Sequence, residues 1–187
     1  LAKTEATSLT VLLLDGSASM QFEGKFDWGC RFAYLGVCLS ESFGDKWYLV
    51  IGGGEVAEVV SPTRGAGKIR HAFELLSDFE PKGQRTLPET VLQALPLIKP
   101  PVTTVLISDF ISKRSELERA LQLLGSTGSN IALVCVLSRT ERDFPFRGTV
   151  RLLDPETGER VLLEADRFAE SYRRDLGKVT KALDRFA

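Results

Sequence analysis

The sequence predicts an α/β protein: a three-layer, open, mostly parallel sheet with helices on both faces and one antiparallel hairpin at its edge. Three observations carry that expectation. Residues 9–14, 102–108 and 131–137 are nearly continuous apolar runs of strand length, as expected for strands covered on both faces. Longer segments with apolar residues three and four apart lie between them, and this alternation implies parallel strands joined by crossovers. Finally, 187 residues, 43% hydrophobic and 26% charged, supply one sizeable core and are too few for two comfortable ones. Residues 1–187 therefore read as one domain, with 149–187 as a carboxyl-terminal hairpin and helix.

The first strand runs into Asp15-Gly16-Ser17-Ala18-Ser19-Met20, a polar loop. Residues 26–43 follow as a helix apolar nearly all round. Phe26, Cys30, Ala33 and Val37 share one face and Phe32, Leu35 and Leu39 another, which predicts little solvent contact. Residues 47–51 and 55–60 are strands on either side of Gly52-Gly53-Gly54, a hairpin signal, because glycine reaches the positive φ of a tight turn. Residues 67–79 suit a short helix, and residues 87–98 a second that Pro96 can end early. Ser115 and Glu118 have capping-box spacing, with Leu117, Ala120, Leu121 and Leu124 as the apolar stripe and Gly125 as a stop. Residues 139–148 read as a charged, solvated loop in which Phe144 and Phe146 pack rather than meet a partner. Residues 150–153 and 160–163 flank Asp154-Pro155-Glu156-Thr157-Gly158 as a late hairpin, and the tail from Arg167 is an amphipathic helix carrying Phe168, Tyr172, Leu176, Val179, Leu183 and Phe186.

Composition removes several functions. A net charge of -1 provides no global field for nucleic acid or an anionic membrane. No apolar run approaches the roughly 20 residues that span a bilayer, and no leader pattern opens the chain. The chain starts at Leu1 and its only methionine is Met20, so it reads as a piece of a longer product in which a membrane segment could lie. Cys30, Cys38 and Cys135 are odd in number, lack metal-site spacing and sit in apolar stretches. They are expected to be buried free thiols in a reducing compartment.

The chemistry concentrates where open parallel sheets bind ligands, outside the carboxyl ends of the strands. Asp15, Ser17 and Ser19 follow the first strand, Thr86 precedes a helix, and Asp109 follows Ile107-Ser108. Two carboxylates and three hydroxyls make an all-oxygen donor set, suited to a hard cation such as Mg2+ or Mn2+. Zinc is disfavoured, because the only histidine is His71 and no thiol accompanies the cluster. Each residue also has a plainer reading. Thr86 with Glu89 is a capping box, a role compatible with liganding, and Thr90 is a weaker substitute for it. Asp109 could simply form a turn. Gly65-Ala66-Gly67-Lys68 fails as a phosphate loop, since Pro62 stands at the first glycine's place and Ile69 follows the lysine. Ser17 is not on a nucleophile elbow, which needs glycines where Asp15 and Ser19 stand. His71, in a helical stretch, reads as a surface residue.

Asp15, Ser17 and Ser19, with Met20 behind and a strand in front, resemble the D-x-S-x-S metal-ion-dependent adhesion site of von Willebrand factor A domains, a Rossmann-like fold. The resemblance implies that Ser17 and Ser19 bind the metal directly, that Asp15 and Asp109 act mainly through water, and that Thr86 binds directly or through water. It leaves the sixth position for an Asp or Glu of a partner protein. A dication held mostly by neutral hydroxyls keeps net positive character and stays receptive to such an anion. From about Leu9 to the last helix, including Asp154 to Glu159 and the helix with Tyr172, the chain resembles the bacterial family known as domain of unknown function 58. In that family the A domain follows a membrane-associated amino-terminal region, and MoxR-type AAA ATPases are commonly encoded nearby. The resemblance implies a cytoplasmic module, membrane-associated through the upstream region, in a chaperone-like assembly system. One departure stands out: Gln84-Arg85 follow Gly83 where relatives often have glycines, which implies a stiffer loop or weaker metal binding.

The expected function is thus metal-dependent protein–protein interaction rather than catalysis. A rival is a metal-dependent phosphoryl hydrolase with Asp15 as nucleophile. Such enzymes want a second Asp where Ser17 stands, and a strong general acid is missing. A third reading is a structural interaction domain with a vestigial metal site.

Overall fold

The computed structural model describes residues 8–61, 67–154 and 158–186. Five strands form the main sheet: β1 (Leu9–Asp15), β2 (Lys46–Gly52), β3 (Glu58–Val60), β4 (Thr103–Ser108) and β5 (Asn130–Cys135), in the order β3-β2-β1-β4-β5. β2, β1, β4 and β5 are mutually parallel, and β3 is the antiparallel edge strand paired with β2. β6 (Thr149–Leu153) and β7 (Arg160–Glu164) form a separate antiparallel pair.

The continuous apolar run of β1 is explained by its central place. Val11 and Leu13 face one core, together with Val50 and Leu106. Leu12 and Leu14 face another, with Leu49, Ile51 and Ile107. The first core is roofed by α3 (Leu87–Ala94), α4 (Arg114–Gly125) and α6 (Ala165–Phe186), through Val91, Leu121 and Leu183 among others. The second is roofed by α1 (Lys25–Ser42) and α2 (Lys68–Asp78), through Phe26, Ala33, Val37 and Leu76. This is the three-layer α/β architecture the sequence predicts.

Several local expectations need correction. α1 is not buried all round. Its sheet face is built from Phe26, Gly29, Ala33 and Val37, while Trp28, Phe32, Leu35, Leu39 and Phe43 are 47–78% exposed. A helix on one side of a sheet can bury only one stripe, and an all-apolar pattern does not say which. β5 is a half-exposed edge strand ending at Cys135, not a buried one. Residues 55–57 do not join β3, because the backbone at Gly54 and Glu55 is hydrogen-bonded to side chains from elsewhere.

Ser115 does not cap α4, which starts one residue earlier with Lys113 at its N-cap and Arg114 paired to Glu118. The charged stretch after β5 is not simply solvated, since α5 (Arg139–Asp143) forms there with a Ser138–Glu141 capping box. Phe144 packs as expected: it is buried, with ring centroids 4.8 Å from Tyr172, 5.2 Å from Phe146 and 5.8 Å from Phe168. Pro96 does shorten its helix, leaving a 3-10 turn over Leu95–Leu97. The three cysteines are free, but Cys135 is exposed and Cys30 and Cys38 only partly buried. Gly65 and Ala66 of the Gly65–Lys68 decoy, and the turn residues 155–157, lie outside the described residues. Among the described residues no helix is long and apolar enough to cross a membrane.

Candidate metal centre

Parallel neighbours end at the same rim of a sheet, so the register decides which loops meet. Asp15 closes β1, and Leu14 lies opposite Ile107 of β4, which brings Ser108 and Asp109 beside it. The Ser108 hydroxyl donates to Asp15 Oδ2 at 2.7 Å, and the Ser17 backbone N–H donates to Asp15 Oδ1 at 2.9 Å. Ser108 also accepts the Phe110 N–H at 3.0 Å, and Phe110 holds a left-handed φ of 55°. A large side chain in that region is strained, and the bend it makes turns the chain sharply off β4 at the rim.

The third stretch arrives through a close backbone crossing. Ala18 N–H donates to the Gly83 carbonyl at 3.0 Å, Gly83 N–H to that of Gly16 at 3.2 Å, and Arg85 N–H to that of Gly53 at 3.2 Å. A Cβ at Gly83 would collide with the Gly53 carbonyl, and Gly53 has a φ of 107°, so both positions require glycine. Arg85 then pins the other side of the crossing, donating to the Gly54 carbonyl at 2.7 Å and the Glu55 carbonyl at 3.0 Å, while Gln93 reaches the Gly54 carbonyl at 3.1 Å. The loop before Thr86 is thereby tied to the backbone of residues 53–55.

These contacts gather the five sequence-predicted residues. Asp15, Ser17, Ser19, Thr86 and Asp109 all line one cleft of about 250 Å³, together with Ser108, Ser112, Arg85, Lys113, Glu116 and Asp154. The Ser17 and Ser19 hydroxyls are 3.0 Å apart. Thr86 caps α3, its N–H and hydroxyl both donating to Glu89 Oε2 at 2.9 Å. Because the hydroxyl donates there, its oxygen keeps acceptor lone pairs for another ligand, so capping and liganding coexist. Thr90 is fully buried beneath Gly52 and does not line the cleft. His71 is exposed on α2 and does not line the cleft.

The two carboxylates have different surroundings. Burial, then the neighbouring charge of Asp109, hold Asp15 above the ordinary carboxylate value, against the lowering effect of Ser108 and Ser17. Asp109, 2% exposed, takes the Ile111 N–H on Oδ1 at 2.9 Å and an ammonium on Oδ2: Lys25 Nζ at 2.6 Å. Lys25 is itself 1% exposed and bonds Glu141 Oε1 at 2.6 Å as well. The sequence reading missed Lys25, Glu141, Ser108 and Gly83's backbone role. Only the last two carried a local signal, Ser108 by adjacency to Asp109 and Gly83 by lying three residues before Thr86.

The donor chemistry fits a hard dication. Two carboxylates and several hydroxyls face one space, and the Ser112 hydroxyl there is buried with no hydrogen-bond partner. Among the described residues no three His, Cys, Asp or Glu side chains cluster in a way that could hold a metal, so a cation here would depend on hydroxyl ligands.

Strand order, two-sided helical cover and a polar cleft at the carboxyl rim of the sheet define an open, mostly parallel three-layer α/β domain. The chain belongs to the family described as Protein of unknown function DUF58, whose profile matches residues 2–182. Among solved structures it is similar to an aerotolerance-related membrane protein from Bacteroides fragilis NCTC 9343 carrying multiple mutations to serines. The TM-score is 0.56 at 16% identity, over 92% of this chain and 87% of that one. It is also similar to the conserved hypothetical protein BatB from Bacteroides thetaiotaomicron, with a TM-score of 0.52 at 14% identity, over 91% and 87%. A weaker similarity, TM-score 0.43 at 13% identity over 72% and 91%, is to the SpRpn10 VWA domain. No curated protein matches the chain.

Proposed function

We propose that this chain is a non-catalytic protein-interaction module whose cleft takes Mg2+ or Mn2+ and, through the metal, an Asp or Glu side chain of a partner. The observation that carries this reading is the convergence of Asp15, Ser17, Ser19, Thr86 and Asp109 on one cleft, from stretches of the chain far apart in sequence. Ser17, Ser19 and Thr86 would supply neutral oxygens, and Asp15 and Asp109 the balancing charge. A dication bound this way supplies an electrophilic position for an incoming carboxylate. Asp15, Asp109, Glu116 and Asp154 outweigh Arg85 and Lys113 in the lining, so the cleft attracts a cation first and an acidic side chain only through it. By family resemblance the partner is a MoxR-type AAA ATPase or its client, in an assembly or chaperone-like system. The similarity to a chain described as a membrane protein supports a location near a membrane. The hydrolase reading gains nothing from the geometry, since Ser17 stands where a second catalytic Asp is wanted and the lone histidine does not line the cleft.

The test is calorimetric titration of Mg2+ into the wild-type chain and into S17A/S19A. Wild type is expected to bind, and the double variant to lose binding while keeping its circular dichroism and thermal transition. Equal affinity in both removes the site. Capture of a partner from lysate should be abolished by a chelator, and capture that ignores the chelator supports the vestigial-site reading instead.

A further inference from the structure

Lys25 opens α1, is buried to 1%, and carries its charge between Asp109 and Glu141 at 2.6 Å from each. This is an uncomfortable place for a cation. The amino end of a helix repels positive charge, and burying an ammonium costs several kcal/mol unless anions repay it. α5 is tied to the turn before Lys25, with Thr140 Oγ1 donating to Glu23 Oε1 at 2.6 Å, so Glu141 is held against the ammonium. The arrangement is asymmetric about the cleft. Asp15 is satisfied by neutral donors, an N–H and a hydroxyl, whereas Asp109 gives one oxygen to a full positive charge.

We infer that Lys25 is a positioning residue behind the cleft: its ammonium holds Asp109 back from direct ligation and cancels part of its charge, lowering cation affinity while leaving a bound dication receptive to an acidic partner side chain. This rests on the metal reading above. Glu141 sets the strength of the effect, because it shares the ammonium and dilutes its hold on Asp109. Removing the two charges must therefore move metal affinity in opposite directions, which a merely structural role for the pair does not require.

The experiment is titration of Mg2+, and of Mn2+ with water-proton relaxation as a second readout, into the whole chain as wild type, K25M and E141Q. K25M is expected to bind on the order of tenfold tighter or more, as removal of a nearby unit charge requires. Its bound Mn2+ should keep fewer waters, because Asp109 enters the coordination shell. E141Q is expected to bind several-fold weaker. Glu141 is partly exposed and its amide analogue can still accept the Ser138 N–H, so E141Q decides the matter even where K25M fails to fold. Unchanged or weaker binding in a folded K25M, or tighter binding in E141Q, overturns the inference and leaves the metal site standing. Absence of binding in all three proteins overturns both.

Discussion

The β1 end and the β4 end of the cleft each present one aspartate, and they solve the problem of a buried carboxylate in different ways. Asp15 at the β1 end is held by the Ser17 N–H and the Ser108 hydroxyl, and its proton affinity is raised by burial and by Asp109. Asp109 at the β4 end is held by the Ile111 N–H and the Lys25 ammonium. The first arrangement leaves an under-compensated anion that a cation would relieve, and the second is already a salt bridge. The pair shows how two identical side chains at one rim acquire different tasks from their neighbours: one is poised to receive charge, the other is set by a fixed one.

That contrast can be broken most forcefully at Lys25. Without metal, K25M leaves Asp109 buried with no counter-charge and is expected to cost about 3–5 kcal/mol, a large drop in melting temperature by calorimetry. Saturating Mg2+ should recover much of it by mass action. A metal-free loss below about 1 kcal/mol would mean that the ammonium is not what holds Asp109.

A smaller effect belongs to the hinge between the two ends. Ser108 donates to Asp15 and accepts from Phe110, so S108A removes a charge-assisted bond and leaves the buried Phe110 N–H unpaired. The expected cost is about 1.5–3 kcal/mol, measured by denaturant unfolding. A neutral result would show that water replaces the hydroxyl and that the two strand ends are less tightly joined.

The smallest effect has the opposite sign. The folded state binds the Asp15 proton more tightly than the unfolded chain, whose carboxylate sits near the ordinary 3.8. Its contribution to stability is therefore fully present below that value and is lost as pH rises through the raised folded-state value. Near neutral pH the ionised group is a liability in metal-free protein. D15N should accordingly raise the metal-free melting temperature at pH 7, by about 2–4 °C for each kcal/mol relieved in a chain of this size, and should gain nothing further from Mg2+. A lower melting temperature would place Asp15 with Asp109 as a structural anion and erase the distinction drawn between them.

The five cleft residues were more legible than the charges behind them. Asp15, Ser17 and Ser19 sit within one loop after an apolar strand, Asp109 follows a second such strand, and Thr86 heads a helix. Local rules about strand ends and donor chemistry therefore reach all five. Lys25 meets Asp109 across 84 residues and Glu141 across 116, and nothing near any of the three announces the others. The Ser115 capping box did not form, because α4 begins a residue before Ser115, whereas one formed at Ser138 beside a stretch that reads as a loop. α1 makes the same point in the core: its apolar residues read as buried on every side, yet only the face with Gly29 and Ala33 meets the sheet.

By itself, then, the sequence determined the alternation of strands and helices, the parallel sheet they imply and the oxygen-rich loops at its rim. Each of these follows from hydrophobic period or from a few adjacent residues. Only the tertiary structure decided which side of α1 is covered, how tightly Gly83 crosses Gly53, and that a buried ammonium stands behind one of the two aspartates. Those outcomes depend on close packing and on charges brought together through space, where energies are set by distance and desolvation, and separation along the chain does not encode them.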